Sequence, residues 1–531
     1  MSFVFKIARE PAEFEQINIL NYKTFAEEIP QHEENDQQRL VDKFHTENTY
    51  IICKKDNQVI GMIAVRGKRP FSLDGKIGSV EKHLPISPQK MCEIRLLAVD
   101  PAHRNGRVFL GLAQGLIRYC LKEGYDTALI SGTTIQEKLY KQMGFTPFAY
   151  LTGEQGAYFQ PMYLTKQTFE MSLAGRIRHD HINFLPGPLM IAEEVSEALN
   201  ATPISHRSTA YRSLLTSVQN KLKKLTNANH VQLFHGTGTL ANDVVAGQLL
   251  LLKGKGLILV NGEFGQRLVD HATRFGLDFE CLQVEWGQPF QATEVARVLN
   301  SSNYRWMWAV HSETSTGILN DLHMLKELST RFHLQLALDC ISSLGTVALD
   351  LQGISYASGV SGKGLAGYTG ISFVFHDQKA EPTLALPRYL DLGTYQMLES
   401  LPYSQSSNLV QALETALRRF REPEQVYKRI YHTYCKIREK LESAGVEILT
   451  PMEHATPAIM TVALKKDISS QQIGDDMYLN GYLLHYESSY LCSHNWIQIA
   501  CMSELTDKQI EKMAILFGKL LAERSSHPTL S

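Results

Sequence analysis

Between His230 and Cys340, β-rich apolar runs recur, and each ends in a short turn loaded with functional side chains. The run at 230–235 leads into Thr237, Gly238 and Thr239. The run at 256–260 leads to Phe264, and the run at 304–310 to His311, Glu313, Thr314, Ser315 and Thr316. The run at 334–338 ends at Asp339. Helical periodicity follows the first three. Such alternation builds βαβ units around a mostly parallel sheet, and open sheets of this kind bind ligands beyond the C-terminal ends of their strands. The pattern therefore constrains both the fold and the place where its chemistry sits.

The stretch 336–370 adds a pair of groups. Asp339 closes an apolar run, and Lys363 follows in a Gly/Ser-rich setting. Pyridoxal phosphate chemistry needs this pair: the lysine links to the cofactor, and the acid keeps the pyridine nitrogen protonated. Taken alone, the two residues read equally well as a solvated aspartate and a lysine in a surface loop. The upstream turns decide between these readings. Thr237, Gly238 and Thr239 place hydroxyls and N–H groups at a helix start, a cradle for phosphate that lacks the lysine of a P-loop. Phe264 offers a flat face for a ring. Four independent features in one order along one sheet make a cofactor site the better reading.

At 531 residues the chain is expected to form two or three domains. A net charge of -2 gives no electrostatic case for nucleic acid or a membrane surface. The eight cysteines (53, 92, 120, 281, 340, 435, 492 and 501) show no CxxC or metal-type spacing. They fit reduced thiols, and with a charged N-terminus and no apolar run of bilayer length they lead us to expect a cytoplasmic protein without a metal site.

The first part reads as a helix, a hairpin with a Lys-Asp-Asn turn, a strand ending at Val99-Asp100-Pro101, a basic turn and a long helix. Arg104, Asn105, Gly106 and Arg107 form that turn, which is suited to hold a pyrophosphate through backbone N–H groups. It reads equally as a βα turn with two solvated arginines. The strings LAVDPAHRNGRVFLGLAQGLI and LYKQMGF resemble the GNAT acyltransferase superfamily, and NYKTFAEEI with VDKFHTENTYII is similar to its N-acyl amino acid synthase branch. That resemblance implies an α+β fold and an acyl-CoA site at Val99, Arg104, Asn105, Gly106 and Arg107. It also implies a leaving-thiolate acid at Tyr140, with Glu93 a candidate base or a solvent-facing strand residue. The turn departs from the pattern, with Arg107 where Gly is expected and Phe109 where Gly or Ala is expected.

In the second part, GTGTLAND, NGEFGQR, HSETSTG, DCISSLG and SGKGLAGYTG together resemble the class V aminotransferases of fold type I. This group includes the alanine–glyoxylate and 2-aminoethylphosphonate transaminases. The resemblance implies pyridoxal 5'-phosphate, with Lys363 as the linking lysine, Asp339 as the pyridinium partner and Phe264 as the stacking aromatic. Thr237, Gly238 and Thr239 would hold the phosphate, and Thr314 would lie beside the ring oxygen. The segment 402–417 resembles one that reaches a neighbouring subunit, so Tyr403 and Ser404 would touch the partner's phosphate in a homodimer.

Gln498 stands where the family carries the arginine that binds the substrate carboxylate. Gln498 itself and Arg207 are therefore the substrate-binding candidates. The expected architecture is α/β: a GNAT-like α+β domain (1–170), a fold type I domain with a mixed, mostly parallel sheet covered by helices on both faces (171–440), and a small C-terminal α/β subdomain (441–531). The expected function is transamination between a small amino compound and a keto acid, fused to N-acylation of the resulting amine. A lyase or decarboxylase with a non-catalytic first domain is the alternative. Desulfuration is disfavoured, because Cys435 sits in a charged helical stretch and Cys492 lacks Ser/Gly-rich surroundings.

Overall fold

The computed structural model describes residues 3–29, 31–104, 106–153 and 158–525, and these divide into two units. The division falls between Ile182 and Asn183, past the expected boundary at 170. The expected C-terminal subdomain is not one body. Gln472–Leu483 and the stretch from Lys519 belong to the first unit, and the remainder belongs to the second.

The first unit carries β1 (Val4–Ile7), α1 (Pro11–Tyr22), β2 (Thr49–Lys55), β3 (Gln58–Arg66), β4 (Met91–Val99), α2 (Arg107–Lys122), β5 (Thr127–Thr133), α3 (Glu137–Gln142), β6 (Thr146–Pro147) and β7 (Phe159–Thr165). Asp56 and Asn57 both take positive φ, 49° and 65°, as a two-residue hairpin between β2 and β3 requires. The sheet order is β1-β2-β3-β4-β5-β7-β6. The one parallel pairing, β4 with β5, covers only Met91–Glu93 against Thr127–Leu129. Past that point the two strands are not paired, and Leu96 turns to a positive φ of 51°. Helix α2 packs closely on β3: a Cβ on Gly61 would lie 2.7 Å from Val108 Cγ1. The segment Gln472–Leu483 joins this unit through Arg118, whose Nη1 donates to the Leu479 carbonyl at 2.8 Å, and through Arg9, which pairs with Asp476 at 2.9 Å.

The second unit holds α4 (Thr209–Thr226), β8 (His230–His235), α5 (Gly238–Leu251), β9 (Gly256–Val260), α6 (Glu263–Arg274), β10 (Phe279–Gln283), β11 (Trp306–Val310), β12 (Gln335–Asp339), β13 (Tyr356–Val360) and β14 (Ile371–His376). Its sheet runs β10-β9-β11-β12-β13-β14-β8, parallel except where β14 lies antiparallel to β13 and β8. Successive residues alternate between two buried layers. Leu257, Leu259, Met307, Ala309, Leu336 and Leu338 pack on one face, and Ile258, Val260, Trp306, Trp308 and Ala337 on the other. Both faces are covered by helices, which is why these strands read as continuous apolar runs. A short antiparallel pair, β15 (Ile459–Ala463) and β16 (Trp496–Ala500), completes the region that bears on the site. No helix among the described residues is long and apolar enough to cross a membrane.

Candidate active site

Asp339 ends β12 and is 5% exposed. Its Oδ2 accepts from Asn242 Nδ2 at 2.8 Å, and its Oδ1 from the Ile341 N–H at 2.9 Å. Asn242 lies on α5, so the helix that begins at the Thr237 turn also fixes the acid. Lys363 follows β13, and its Nζ donates to Ser342 Oγ at 2.9 Å. Ser342 in turn shares a short hydrogen bond with Thr314 Oγ1. The Lys363 ammonium stands 5.2 Å from the centre of the Phe264 ring. Burial lowers the pKa of Lys363. The Asp339 and Glu313 carboxylates oppose that shift, and the Arg267 charge adds to it. Residues at or just past the ends of β9, β11, β12 and β13 thus converge around one amine.

Backbone approaches set by glycine complete the arrangement. A Cβ on Gly238 would come within 2.5 Å of Ile341 Cδ1, so the start of α5 packs closely on the Asp339 turn, and a larger residue would require the Ile341 side chain to shift. The Leu240 N–H donates to the Thr237 carbonyl at 3.1 Å, and the Thr237 side chain makes no capping bond to the helix. A Cβ on Gly187 would lie 3.3 Å from the Gly362 carbonyl and 3.8 Å from Lys363 Cγ, which brings the Pro186-Gly187-Pro188 turn against the lysine.

Glu313 is the residue that sequence reasoning left without a role. It is fully buried, and its carboxylate accepts from the N–H groups of Phe264 at 3.3 Å, Gly265 at 2.9 Å and Ser315 at 3.1 Å. It therefore caps α6 from outside the helix and fixes Phe264 at its first turn. A Cβ on Gly262 would fall 2.5 Å from Glu313 Cδ, so the glycine of the NGEF turn makes room for this acid. Burial raises the pKa of Glu313, and the hydrogen bonds from Ser315 and the backbone N–H groups oppose the shift.

The structure departs from the substrate-binding expectation at Gln498. This side chain on β16 is fully buried and engaged by protein on every side. Its Nε2 donates to the carbonyls of Thr314 at 2.6 Å and Ser315 at 3.0 Å and to Thr461 Oγ1 at 2.9 Å. Its Oε1 accepts from Tyr490 OH at 3.0 Å and lies 2.9 Å from His485 Nδ1. No donor is left for a ligand, and the residue ties β16 to the Thr314 turn. Arg207 is exposed on the turn before α4 and is not among the charges that act on Lys363. Arg267 on α6 is, with its guanidinium 4.8 Å from the Phe264 ring centre. Tyr403 stacks on Tyr389 at 4.5 Å, and Ser404 is exposed.

These residues fit pyridoxal phosphate by the chemistry of their donors. They offer a held carboxylate, a desolvated amine, an aromatic plate and a helix start whose N-cap side chain is not used in capping. Among the described residues no cluster of His, Cys, Asp or Glu could hold a metal ion.

The first unit contains a separate cavity of about 630 Å³. Apolar side chains such as Phe25, Ile94, Phe109 and Leu139 line most of it, and its polar lining includes Asp42, Lys76, Glu93, Arg95 and Tyr140. Glu93 does not face solvent. It is fully buried and accepts from the Ser72 N–H at 2.8 Å, the Ser72 hydroxyl and the Leu73 N–H at 3.2 Å. Tyr140 lies on α3 with its ring packed over Gly132. At the basic turn, Gly106 takes a φ of 81° and opens α2, where Arg107 is exposed. Arg104 is committed elsewhere: its two terminal nitrogens grip Glu28, and its Nε donates to the Val99 carbonyl at 2.9 Å. Asn105 lies outside the described residues.

Residues 16–166 match the family model of the N-acyl amino acid synthase FeeM, and residues 191–408 that of class V aminotransferases. The chain is 33% identical over 298 residues to the soluble hydrogenase 42 kDa subunit of Anabaena cylindrica, covering 52% of this chain and 77% of that protein. It is 25% identical over 356 residues to the 2-aminoethylphosphonate–pyruvate transaminase of Pseudomonas fluorescens, covering 64% and 96% respectively. The crystal structure of alanine–glyoxylate aminotransferase from Nostoc sp. superposes with a TM-score of 0.59 at 25% identity, over 64% of this chain and 95% of that one. The antiparallel β14 in an otherwise parallel sheet, the Asp339–Lys363 pair and these likenesses agree: the chain belongs to the class V aminotransferases of fold type I and carries an N-acyl amino acid synthase-like domain ahead of that fold.

Proposed function

We propose that the second unit moves an amino group between a small amino compound and a keto acid, with Lys363 and Asp339 as its catalytic pair. The observation that carries this reading is the convergence of Asp339, Lys363 and Phe264 through Asn242, Ser342 and Thr314. Pyridoxal phosphate, when bound, supplies an electron sink that acidifies the C–H bond beside the amino group. Asp339 would keep the ring nitrogen protonated, and Phe264 would fix the ring plane. Thr237, Gly238 and Thr239 would take the phosphate at the start of α5. Lys363 Nζ takes the proton from the amino donor's carbon and would deliver one to the keto acid's carbon as that becomes the amine, and the lowered pKa keeps more of this lysine in the basic form that the transfer needs. Tyr403 and Ser404 are assigned to the phosphate of a neighbouring subunit in a homodimer, which sedimentation at several concentrations tests.

The first unit is read as an acyltransferase. An amine attacks an acyl thioester in the cavity and loses a proton to water as the amide bond forms; the C–S bond breaks, the thiol leaves with a proton from Tyr140, and water restores the Tyr140 proton. Glu93, held by Ser72 and Leu73, shapes the cavity wall. The decisive experiment is Lys363→Ala with the cofactor added. We expect no visible lysine-linked chromophore and no keto acid from any amino donor, while acyl transfer persists. A Lys363→Ala protein that still transaminates would sink the assignment.

A further inference from the structure

Two thiols meet where the first unit's cavity closes. Cys92 on β4 is fully buried, Cys120 in the last turn of α2 is half-buried, and their sulfurs stand 3.9 Å apart. Cys92 lies in the short stretch where β4 pairs with β5, opposite Ala128, so it marks the vertex from which the two strands part. Ile94, two residues further along the same strand face, lines the cavity. On the helix, Phe109, Ala113 and Leu116 line it too, and Cys120 continues that spacing by one more turn. The sulfur contact is the next layer of the wall that β4 and α2 build together.

Their surroundings suit the two sulfurs to different tasks. The hydrogen bond with Cys120 and then burial raise the pKa of Cys92 well above that of an ordinary thiol, so this sulfur stays protonated among Ile51, Val108 and Leu112. Cys120 keeps part of its surface open to solvent and to a small oxidant. No cluster of three metal-ligating side chains forms around the pair among the described residues, which leaves sulfur–sulfur chemistry. The two positions are 28 residues apart, and the segment between them carries Arg104 and Arg107, so a bond here would close a loop that includes the basic turn.

We propose that Cys92 and Cys120 form a reversible disulfide under peroxide, and that this bond fixes the seat of α2 on β4 at the closed end of the cavity. Hydrogen peroxide transfers one oxygen to the Cys120 sulfur, giving a sulfenic acid and one water. The Cys92 sulfur then attacks that sulfur. The S–S bond forms as the S–O bond breaks, and the Cys92 thiol proton leaves with the hydroxyl as a second water. The two thiols lose two electrons and the peroxide gains them, and a dithiol reverses the step by exchange. Bond formation draws the sulfurs well inside their present contact, so the last turn of α2 moves toward β4 and takes the wall of Phe109, Ala113 and Leu116 with it. The consequence for a ligand in the cavity rests on the acyltransferase reading of the first unit, and the bond itself does not.

The test uses the full chain, treated with hydrogen peroxide, alkylated and digested without reduction. Mass spectrometry should find the peptides of Cys92 and Cys120 joined and lighter by two hydrogens, and dithiothreitol should separate them. Thermal unfolding should shift upward on oxidation by about 5 °C and return on reduction, because a cross-link over this segment restricts the unfolded chain. Cys120→Ser should lose both signals. Dodecanoyl-coenzyme A, titrated into the reduced and the oxidised protein, should bind with affinities at least threefold apart. Unlinked peptides at a peroxide dose that oxidises the exposed Cys281 overturn the disulfide, as does a link from either thiol to Cys53. A linked pair with equal affinities overturns its hold on the cavity. A linked pair with no binding in either form overturns the acyltransferase reading and leaves the disulfide standing. Should Cys120→Ser not fold, the wild-type peptide map decides the matter.

Discussion

The side-chain amide of Gln498 holds the carbonyl of Thr314 at 2.6 Å, so a residue expected to meet substrate instead anchors the turn that carries the Thr314 hydroxyl. Gln498→Ala should therefore act first on structure. It leaves the Thr314 and Ser315 carbonyls and the Tyr490 hydroxyl short of partners, at a cost of about 2–3 kcal/mol. Denaturant unfolding of the second unit's transition measures the loss, and KM for the amino donor should change less than stability does.

Asp339→Asn should keep the fold, since a side-chain oxygen remains to accept from Asn242 or Ile341. It removes the negative charge next to the ring nitrogen. We expect amino transfer to fall on the order of 100-fold, with cofactor still bound. Single-turnover rates with a good amino donor provide the measurement, and an unimpaired rate would remove Asp339 from its role.

Lys363 gives the cofactor-free protein a distinct pH response. Burial sets its folded pKa below the ordinary lysine value of about 10.4. Between those two values the unfolded chain binds more protons than the folded one, so stability contributed at this position rises with pH across that window, by at most about 1.4 kcal/mol per pH unit. Lys363→Met should abolish this component. Unfolding midpoints of both proteins from neutral to alkaline pH isolate the difference, and parallel curves would refute it.

Glu28 competes with any pyrophosphate for Arg104. The pair is exposed on both sides, so breaking it costs roughly 0.2–1 kcal/mol. Glu28→Gln should free the guanidinium and strengthen binding of coenzyme A about two- to fivefold in a direct titration. If Arg104→Ala and Glu28→Gln both leave coenzyme A binding as it was, the turn does not serve as its anchor.

The residues readable in advance share one property: each stands at a place that local sequence already marks. Asp339, Phe264, Thr237 and Thr314 follow apolar runs, and Lys363 sits in a run of small residues, so periodicity alone puts them at strand ends or helix starts. Glu313 follows the same rule but gave no hint of its purpose, because a carboxylate in a turn ordinarily faces water. Only its burial against the start of α6 shows that it caps that helix. Arg104 shows the converse. Its turn is legible, but its partner Glu28 lies 76 residues earlier and is joined to it only by the fold.

Sequence by itself determined the class of fold, the order of its strand-end groups and the cofactor those groups suit, because hydrophobic period and turn chemistry act over a few neighbouring residues. Tertiary structure alone decided which side chains remain available to a ligand. Gln498 commits its amide to Thr314, Ser315 and Thr461, and Arg104 commits its charge to Glu28, whereas the Lys363 amine has one hydroxyl partner, Ser342. A hydrogen bond is a contest among all donors and acceptors that folding brings together, and most of those competitors lie far away along the chain.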